Sequence, residues 1–379
     1  MKVKTMSTIL TYLTQHQHDI LADLERLAGA ESPSHDKRAV DACGERVQAL
    51  FADYLGVKAE VFPQTEYGNH LTFEIGSGAK KTLIIGHFDT VWDIGRLTLR
   101  KEDGKLYGPG VLDMKGGLVQ AIWAVRALKE LNLLTGRQIR FFCNADEELG
   151  SPSSRPLIEQ IAPNYQTVLV PEPATANTGA LKTGRKGTGR FYVHIKGRAA
   201  HAGNNPEDGI SAIQEMSHQI QYLHSLNAPE NGTTVNVGVA CGGSKINVVA
   251  EEANLSIDVR VTRLDEADRI HKAIYGSTPV MDGIQITVSG GMIRPPMERS
   301  EATGKLMEKA KEAAGALGFE IGEASVGGGS DGNFTAALGI PTLDGLGATG
   351  AGPHAEYEHI IIDDLVKRSA LLAELIVRL

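Results

Sequence analysis

The spacing of apolar positions divides the chain into alternating helices and short strands. From Ser7 to Ala28, the residues Ile9, Leu10, Leu13, Ile20, Leu21, Leu24 and Leu27 recur at three- and four-residue steps, the period of a helix with one buried face. A second helix is predicted over Lys37 to Tyr54. Thr82 to Gly86 (TLIIG) is a short unbroken apolar run that stops directly on His87, as in a strand covered on both faces. A helix follows over Gly117 to Leu131, then strands over Gln138 to Cys143 and Thr167 to Val170, the last ending on Pro171-Glu172. This alternation predicts an α/β domain with a mostly parallel central sheet flanked by helices. Such sheets place their sites at the carboxyl ends of the strands.

Near Gly184 the character changes. Arg190 to Lys196, Thr234 to Val239, Asn254 to Val261 and Gln285 to Ser289 read as strands, with helices over Ile210 to Leu226 and Glu266 to Tyr275. These predict an inserted α+β unit of four strands and two helices, leaving through Arg294-Pro295-Pro296, where two prolines stiffen the linker. A helix over Glu301 to Leu317, glycine loops at Gly327 to Gly332 and Gly345 to Pro353, and a last helix from Ile361 to Leu379 return the chain to the first domain. The expected division is residues 1–185 and 297–379 for the larger domain and 186–296 for the insert.

Composition narrows the function. The length of 379 residues suits one large domain carrying a smaller one. A net charge of -8 leaves no extended basic surface, which argues against nucleic acid and anionic membranes as partners. Cys43, Cys143 and Cys241 are isolated, with no CxxC pair; they read as reduced, mostly buried thiols and favour the cytoplasm. The opening stretch from Met1 to Ile20 turns polar where a signal peptide needs an apolar core, and no run of about 18 apolar residues marks a membrane span.

Five short segments carry candidate chemistry. Gly86-His87-Phe88-Asp89 sets His87 and Asp89 on the same side of a strand end, so that Asp89 can hold one imidazole nitrogen while the other binds a metal. Asp113 lies among glycines before a helix, where it serves either a ligand or ordinary capping. Asp146-Glu147-Glu148 stacks three acids where an apolar strand stops, a costly arrangement that a cation relieves. Glu172 ends another strand between two prolines, and His354 stands in a stiffened Gly-Pro loop. Each segment alone is more often structural. Together they make a mixed nitrogen and oxygen set suited to two borderline divalent ions, and one shared carboxylate would hold these about 3.5 to 4 Å apart.

The ordered motifs GHFDTVW, GPGVLDMKGG, NADEELGS, VPEP, GGGSDGNF and GPHAE cover almost the whole chain. They resemble the M20 family of metallopeptidases, most closely its glutamate carboxypeptidase branch, with similarity also to acetylornithine deacetylases and succinyl-diaminopimelate desuccinylases. The resemblance implies a zinc-peptidase-like domain with an inserted lid and dimerisation domain. It further implies two divalent ions, zinc with cobalt and manganese as alternatives, one held by His87, Asp113 and Glu172 and the other by Asp113, Glu148 and His354. Asp113 is then the bridge, followed by a cis peptide bond.

In the same pattern Glu147 is the general base and Asp89 backs His87. His201, in Gly197 to Gly203, reaches across a homodimer to the oxyanion, or simply caps the next segment. Arg294 matches the carboxylate clamp, since a guanidinium offers paired donors. Asn247 and Arg260 match lid positions, with an interstrand or interface role equally open for Arg260. Gly328 lies in the glycine loop that passes substrate close to backbone amides, or in an ordinary glycine turn. Trp92 either shapes the substrate mouth or packs beneath it. The implied reaction is hydrolysis of a peptidyl or N-acyl amino acid with a free carboxylate; Glu172, rather than Asp, leans toward carboxypeptidases and deacylases. A binder of the same fold without turnover would have lost Glu147 or a ligand, and all are present.

Overall fold

In the computed structural model, which describes residues 7–379, the TLIIG run lies within the strand Lys80–His87. Its Leu83, Ile84 and Ile85 are fully buried, each contributing about 1.5–3 kcal/mol of hydrophobic stabilisation. Arg137–Asn144 and Thr167–Leu169 pair with it in parallel on either side, and Thr342–Leu343 extends the parallel run. His70–Gly76 and Glu60–Phe62 complete the six-stranded sheet as antiparallel strands at the other edge. The sheet is therefore mostly parallel, as the alternation predicts. Because His87 is in register with Asn144 and Ile84 with Leu169, these strands all deliver their carboxyl ends to one edge.

The flanking helices follow from local signals. Lys37–Leu55 starts under the Asp36 carboxylate, which accepts from the Ala39 amide at 3.1 Å, and stops at Gly56 in the left-handed region. Lys115–Glu130 is buried on nearly every side and packs against the last helix, Asp364–Arg378, which explains its apolar composition all round. The first predicted helix is in fact two, Thr8–Gln15 and Gln17–Ala28, broken at His16 (φ -105°), whose ring turns to Asp19 at 2.9 Å. The opening residues Met1 to Met6 of the signal-peptide reading lie outside the described residues.

Contacts divide the chain into two compact units. Gly184–Glu298 and Val326–Gly329 form one, and the remaining residues the other. The smaller unit carries an antiparallel sheet in the order Thr234–Gly242, Glu252–Val261, Gly187–Lys196, Gln285–Arg294, with helices Ala212–Ser225 and Leu264–Tyr275. Its core is built from the alternating residues Phe191, Val193, Ile195, Leu255, Ile257 and Val259. Arg294 is a strand residue rather than part of a linker: the ladder continues through Gly290 and Gly291 and ends, after an irregularity, with Arg294 opposite Thr188. The glycines hide this continuation from a hydrophobic pattern because they carry no side chain to alternate.

A further small sheet has the order Gly350–Ala351, His359–Ile361, Lys105–Tyr107, Arg100–Glu102. It lies in the larger unit and joins the His354 loop to the Asp113 segment. Cys43 and Cys143 are buried, whereas Cys241 is exposed on its strand. No helix among the described residues is long and apolar enough to cross a membrane.

Candidate metal centre

The convergence of strand ends brings His87, Asp89, Asp113, Glu147, Glu148, Glu172 and His354 together in the larger unit. His87 closes its strand; Glu147 and Glu148 lie in a 3-10 turn, Glu147–Leu149, just after the strand Arg137–Asn144. Glu172 follows Thr167–Leu169 by three residues. Asp113 precedes the helix Lys115–Glu130 through a cis peptide bond to Met114. The helix is capped at Met114 without a side-chain bond, so Asp113 is not a helix cap. His354 sits in its loop at φ 60°, a conformation uncommon outside glycine.

Asp113 faces both ways. Its Oδ1 is 3.4 Å from His87 Nε2, and its Oδ2 is 3.5 Å from His354 Nε2. Glu172 Oε1 lies 3.5 Å from His87 Nε2, and Glu148 Oε2 lies 3.0 Å from His354 Nε2. Ligand atoms of His87, Asp113 and Glu148 fall within 4.8 Å of one another. The Nδ1–H of His87 donates to the Asp89 carbonyl at 3.0 Å, which leaves Nε2 aimed at the Asp113 and Glu172 oxygens. That nitrogen and Glu148 Oε1 are buried without a hydrogen-bond partner among the described residues.

Carboxylates gathered around two imidazoles in a buried space favour positive charge between them, supplied by protons or by metal ions. Burial disfavours charge on His87, yet Asp113, Asp89 and Glu172 outweigh it and raise the ring well above the ordinary histidine range. Asp113 and Glu148 raise His354 to about 11. Burial first, and then the Asp113 charge, push Glu148 up to about 7. Burial also raises the Asp113 carboxyl, but the two histidines overcome this and hold it well below its usual range. The donor set and its electrostatics fit a pair of divalent cations, with His354 half-exposed toward solvent at 55%.

A family model described as peptidase family M20/M25/M40 matches residues 83–378, most of the chain. The chain belongs to this family. Carboxypeptidase G2 of Pseudomonas sp. strain RS-16 is 32% identical to this M20 peptidase over 382 aligned positions, covering 97% of this chain and 90% of that protein. Among solved structures, aminopeptidase PepT from Bacillus cereus has a TM-score of 0.77 at 23% identity, covering 95% of this chain and 98% of that one. The Bacillus subtilis YXEP protein, described as a dinuclear metal-binding M20 peptidase, has a TM-score of 0.71 at 15% identity, covering 96% and 98%. These two share the fold of this M20 hydrolase.

Within the M20 site, Asp89 divides its contacts in a way the HxD spacing alone does not reveal. Its carbonyl holds His87, while its carboxylate lies 3.4 Å from His87 Nδ1 and accepts from the Glu147 and Glu148 amides at 3.2 Å each and from Ser34 Oγ at 2.7 Å. One buried acid thus ties the histidine to the turn that carries both glutamates. The other expected site residues lie in the smaller unit. His201 is exposed, and its Nδ1 accepts from the Gly203 and Asn204 amides at 3.1 Å each, so it does cap its own turn, with the proton of the neutral ring on Nε2. The Asn247 carbonyl accepts from the Ala202 amide. Arg260 pairs with Asp258 along one strand at 2.9 Å. Arg294 is buried, with Gly329 packed where a Cβ would come within 2.9 Å of its Cδ. Gly328 is exposed, and its carbonyl accepts from Arg185 at 3.1 Å.

Sequence reasoning did not see the role of several residues that hold this geometry. Asp331 accepts from Asn144 at 2.6 Å and Ser151 at 2.5 Å, while Asp146 accepts from Ser153 and Ser154; both acids are buried. The only prior signal was their place beside the acidic and glycine motifs. Glu358 accepts from Trp92 Nε1, which buries the indole rather than leaving it at a mouth. Gly117 matters by absence: a Cβ there would fall 1.7 Å from the Pro171 carbonyl, immediately before Glu172. Gly117→Ala must therefore push that strand end away. The expected loss is about 1–3 kcal/mol of stability, the usual scale of overpacking, read from the shift of the urea midpoint.

Proposed function

We propose that this M20 hydrolase cleaves the amide bond of a peptidyl or N-acyl amino acid with a free carboxylate, and that glutamate carboxypeptidase chemistry is the form the 32% identity to carboxypeptidase G2 favours. The observation that carries the reading is the two-sided Asp113 carboxylate between His87 and His354, with Glu147 beside it. Zinc is the proposed metal, held by His87, Asp113 and Glu172 in one position and by Asp113, Glu148 and His354 in the other. When bound, such a pair lowers the pKa of water and polarises the scissile carbonyl.

The chain's own groups then divide the work. Glu147, whose Oε2 lies 3.9 Å from His87 Nε2, takes a proton from the attacking water and returns it to the amide nitrogen as the bond breaks. Asp89 keeps His87 in the tautomer that presents Nε2 and anchors the Glu147 turn. In the smaller unit, Arg294 receives the substrate carboxylate, with Asn247, Arg260 and the Gly328 backbone as further contacts. His201 donates from Nε2 to the developing oxyanion in the partner's site of a homodimer. The free cysteines suit a cytoplasmic protein.

Rates on a panel of N-acyl and peptidyl amino acids, each with a free and an amidated carboxyl terminus, test the reading. Hydrolysis should need zinc, cobalt or manganese, stop with a chelator, and favour the free acid. Arg294→Ala should narrow that preference by raising KM for the free acid more than for the amide. Equal rates on both forms would remove the carboxylate from recognition. Mixing His201→Ala with Glu147→Gln chains should restore activity in heterodimers; no rescue after demonstrated subunit exchange would count against the shared site.

A further inference from the structure

Glu358 is a buried acid with no part in the chemistry just described. It is 1% exposed, yet each of its carboxylate oxygens accepts two N–H groups. Oε2 accepts from Trp92 Nε1 at 2.6 Å and the Gly110 amide at 3.2 Å; Oε1 accepts from the Leu112 amide at 2.9 Å and the Asp113 amide at 3.1 Å. Three of the four donors are consecutive or near-consecutive amides of the turn that ends in Asp113. The chain path explains the meeting. Strand His359–Ile361 pairs antiparallel with Lys105–Tyr107, His359 opposite Tyr107, and the Glu358 carbonyl accepts from Gly108. Glu358 is thereby laid along the backbone from Gly108 to Asp113.

The same residue closes the other histidine's loop. The Ala355 amide bonds to the Gly352 carbonyl and the Glu358 amide to the Ala355 carbonyl, so the segment bearing His354 is two linked turns ending on Glu358. We propose that Glu358 is a positioning residue that sets the Asp113 carboxylate and the His354 loop against each other, and thereby governs how tightly the cation pair is held. The role rests on the metal-dependent reading above. The Asp113 amide finds its hydrogen-bond acceptor in Glu358, and a carboxylate that must serve two cations at once tolerates little displacement.

Glutamine has the shape of glutamate but not its acceptor capacity. In Glu358→Gln the amide NH₂ must face either Trp92 and Gly110 or Leu112 and Asp113, turning donor against donor on one side. Competition between the metal-free protein and a chromogenic chelator for Zn²⁺ measures the consequence. The unmodified chain should bind two ions, and Glu358→Gln should bind them about 10- to 100-fold more weakly, the usual scale for a residue that supports a metal ligand. Excess Zn²⁺ should restore turnover, which general damage to the fold would not allow. Trp92→Phe, which removes one donor and keeps the carboxylate, should weaken binding about fivefold, and it carries the test if the glutamine variant does not fold. Unchanged Zn²⁺ affinity in the folded glutamine variant, or in Trp92→Phe where that variant alone folds, overturns the positioning role while leaving the metal site standing. Failure of the unmodified chain to bind Zn²⁺ overturns both.

Discussion

Glu147→Gln is expected to keep both cations and to lose turnover by about 10²- to 10⁴-fold, the range over which a positioned acid–base group accelerates proton transfer. Glu147 and Glu148 are neighbours in one tight turn, and both amides bond to the Asp89 carboxylate at 3.2 Å. That shared anchor holds the two side chains in different places. Glu148 comes 3.0 Å from His354, with its side chain only 6% exposed, whereas the Glu147 carboxylate lies on the His87 side at 3.9 Å. An amide at position 147 preserves the volume and the turn but cannot accept a proton. Metal analysis after desalting, beside steady-state kcat on the preferred substrate, separates the outcomes. A variant with ordinary kcat would take Glu147 out of the proton path; one that has shed a cation would make it a ligand.

The features legible in the sequence were those written as local patterns. The apolar run before His87 announces a strand covered on both sides, and the helix Glu301–Leu317 has the limits its periodicity predicts. The strand His70–Gly76 was not read from the sequence, and two of its polar positions are buried: His70 bonds to Ser153 at 2.9 Å and Thr72 is paired with Glu60 and Arg140. Polar residues satisfied across a fold look, in one dimension, like polar residues facing water. The same limit hid Glu358. In EYEHI it is one of two acids, and its four donors lie about 245 to 266 positions away. Motifs disclosed the groups converging on the candidate cation site. Of the acids behind them, Asp146 is held by nearby Ser153 and Ser154, whereas Asp331 and Glu358 become visible only when distant residues are brought to them.

Asp113→Asn should have the other large effect and a different signature, loss of both cations together. The carboxylate presents one oxygen to His87 at 3.4 Å and the other to His354 at 3.5 Å, so each half of the proposed pair depends on it. An asparagine retains one oxygen and turns an NH₂ donor toward the opposite histidine, while the site loses the negative charge that offsets two cations close together. Occupancy of both positions should fall, and turnover should drop by more than the roughly 10- to 100-fold typical of a residue that only supports a ligand. His354→Ala is the contrast: it removes a donor from one side, from a residue already half-exposed, and should leave a single cation bound between His87, Asp113 and Glu172. Zinc-to-protein ratios for the two variants, measured side by side, decide the matter. Two ions retained in Asp113→Asn would mean that the carboxylate does not bridge, and the two-sided geometry would then need a different explanation.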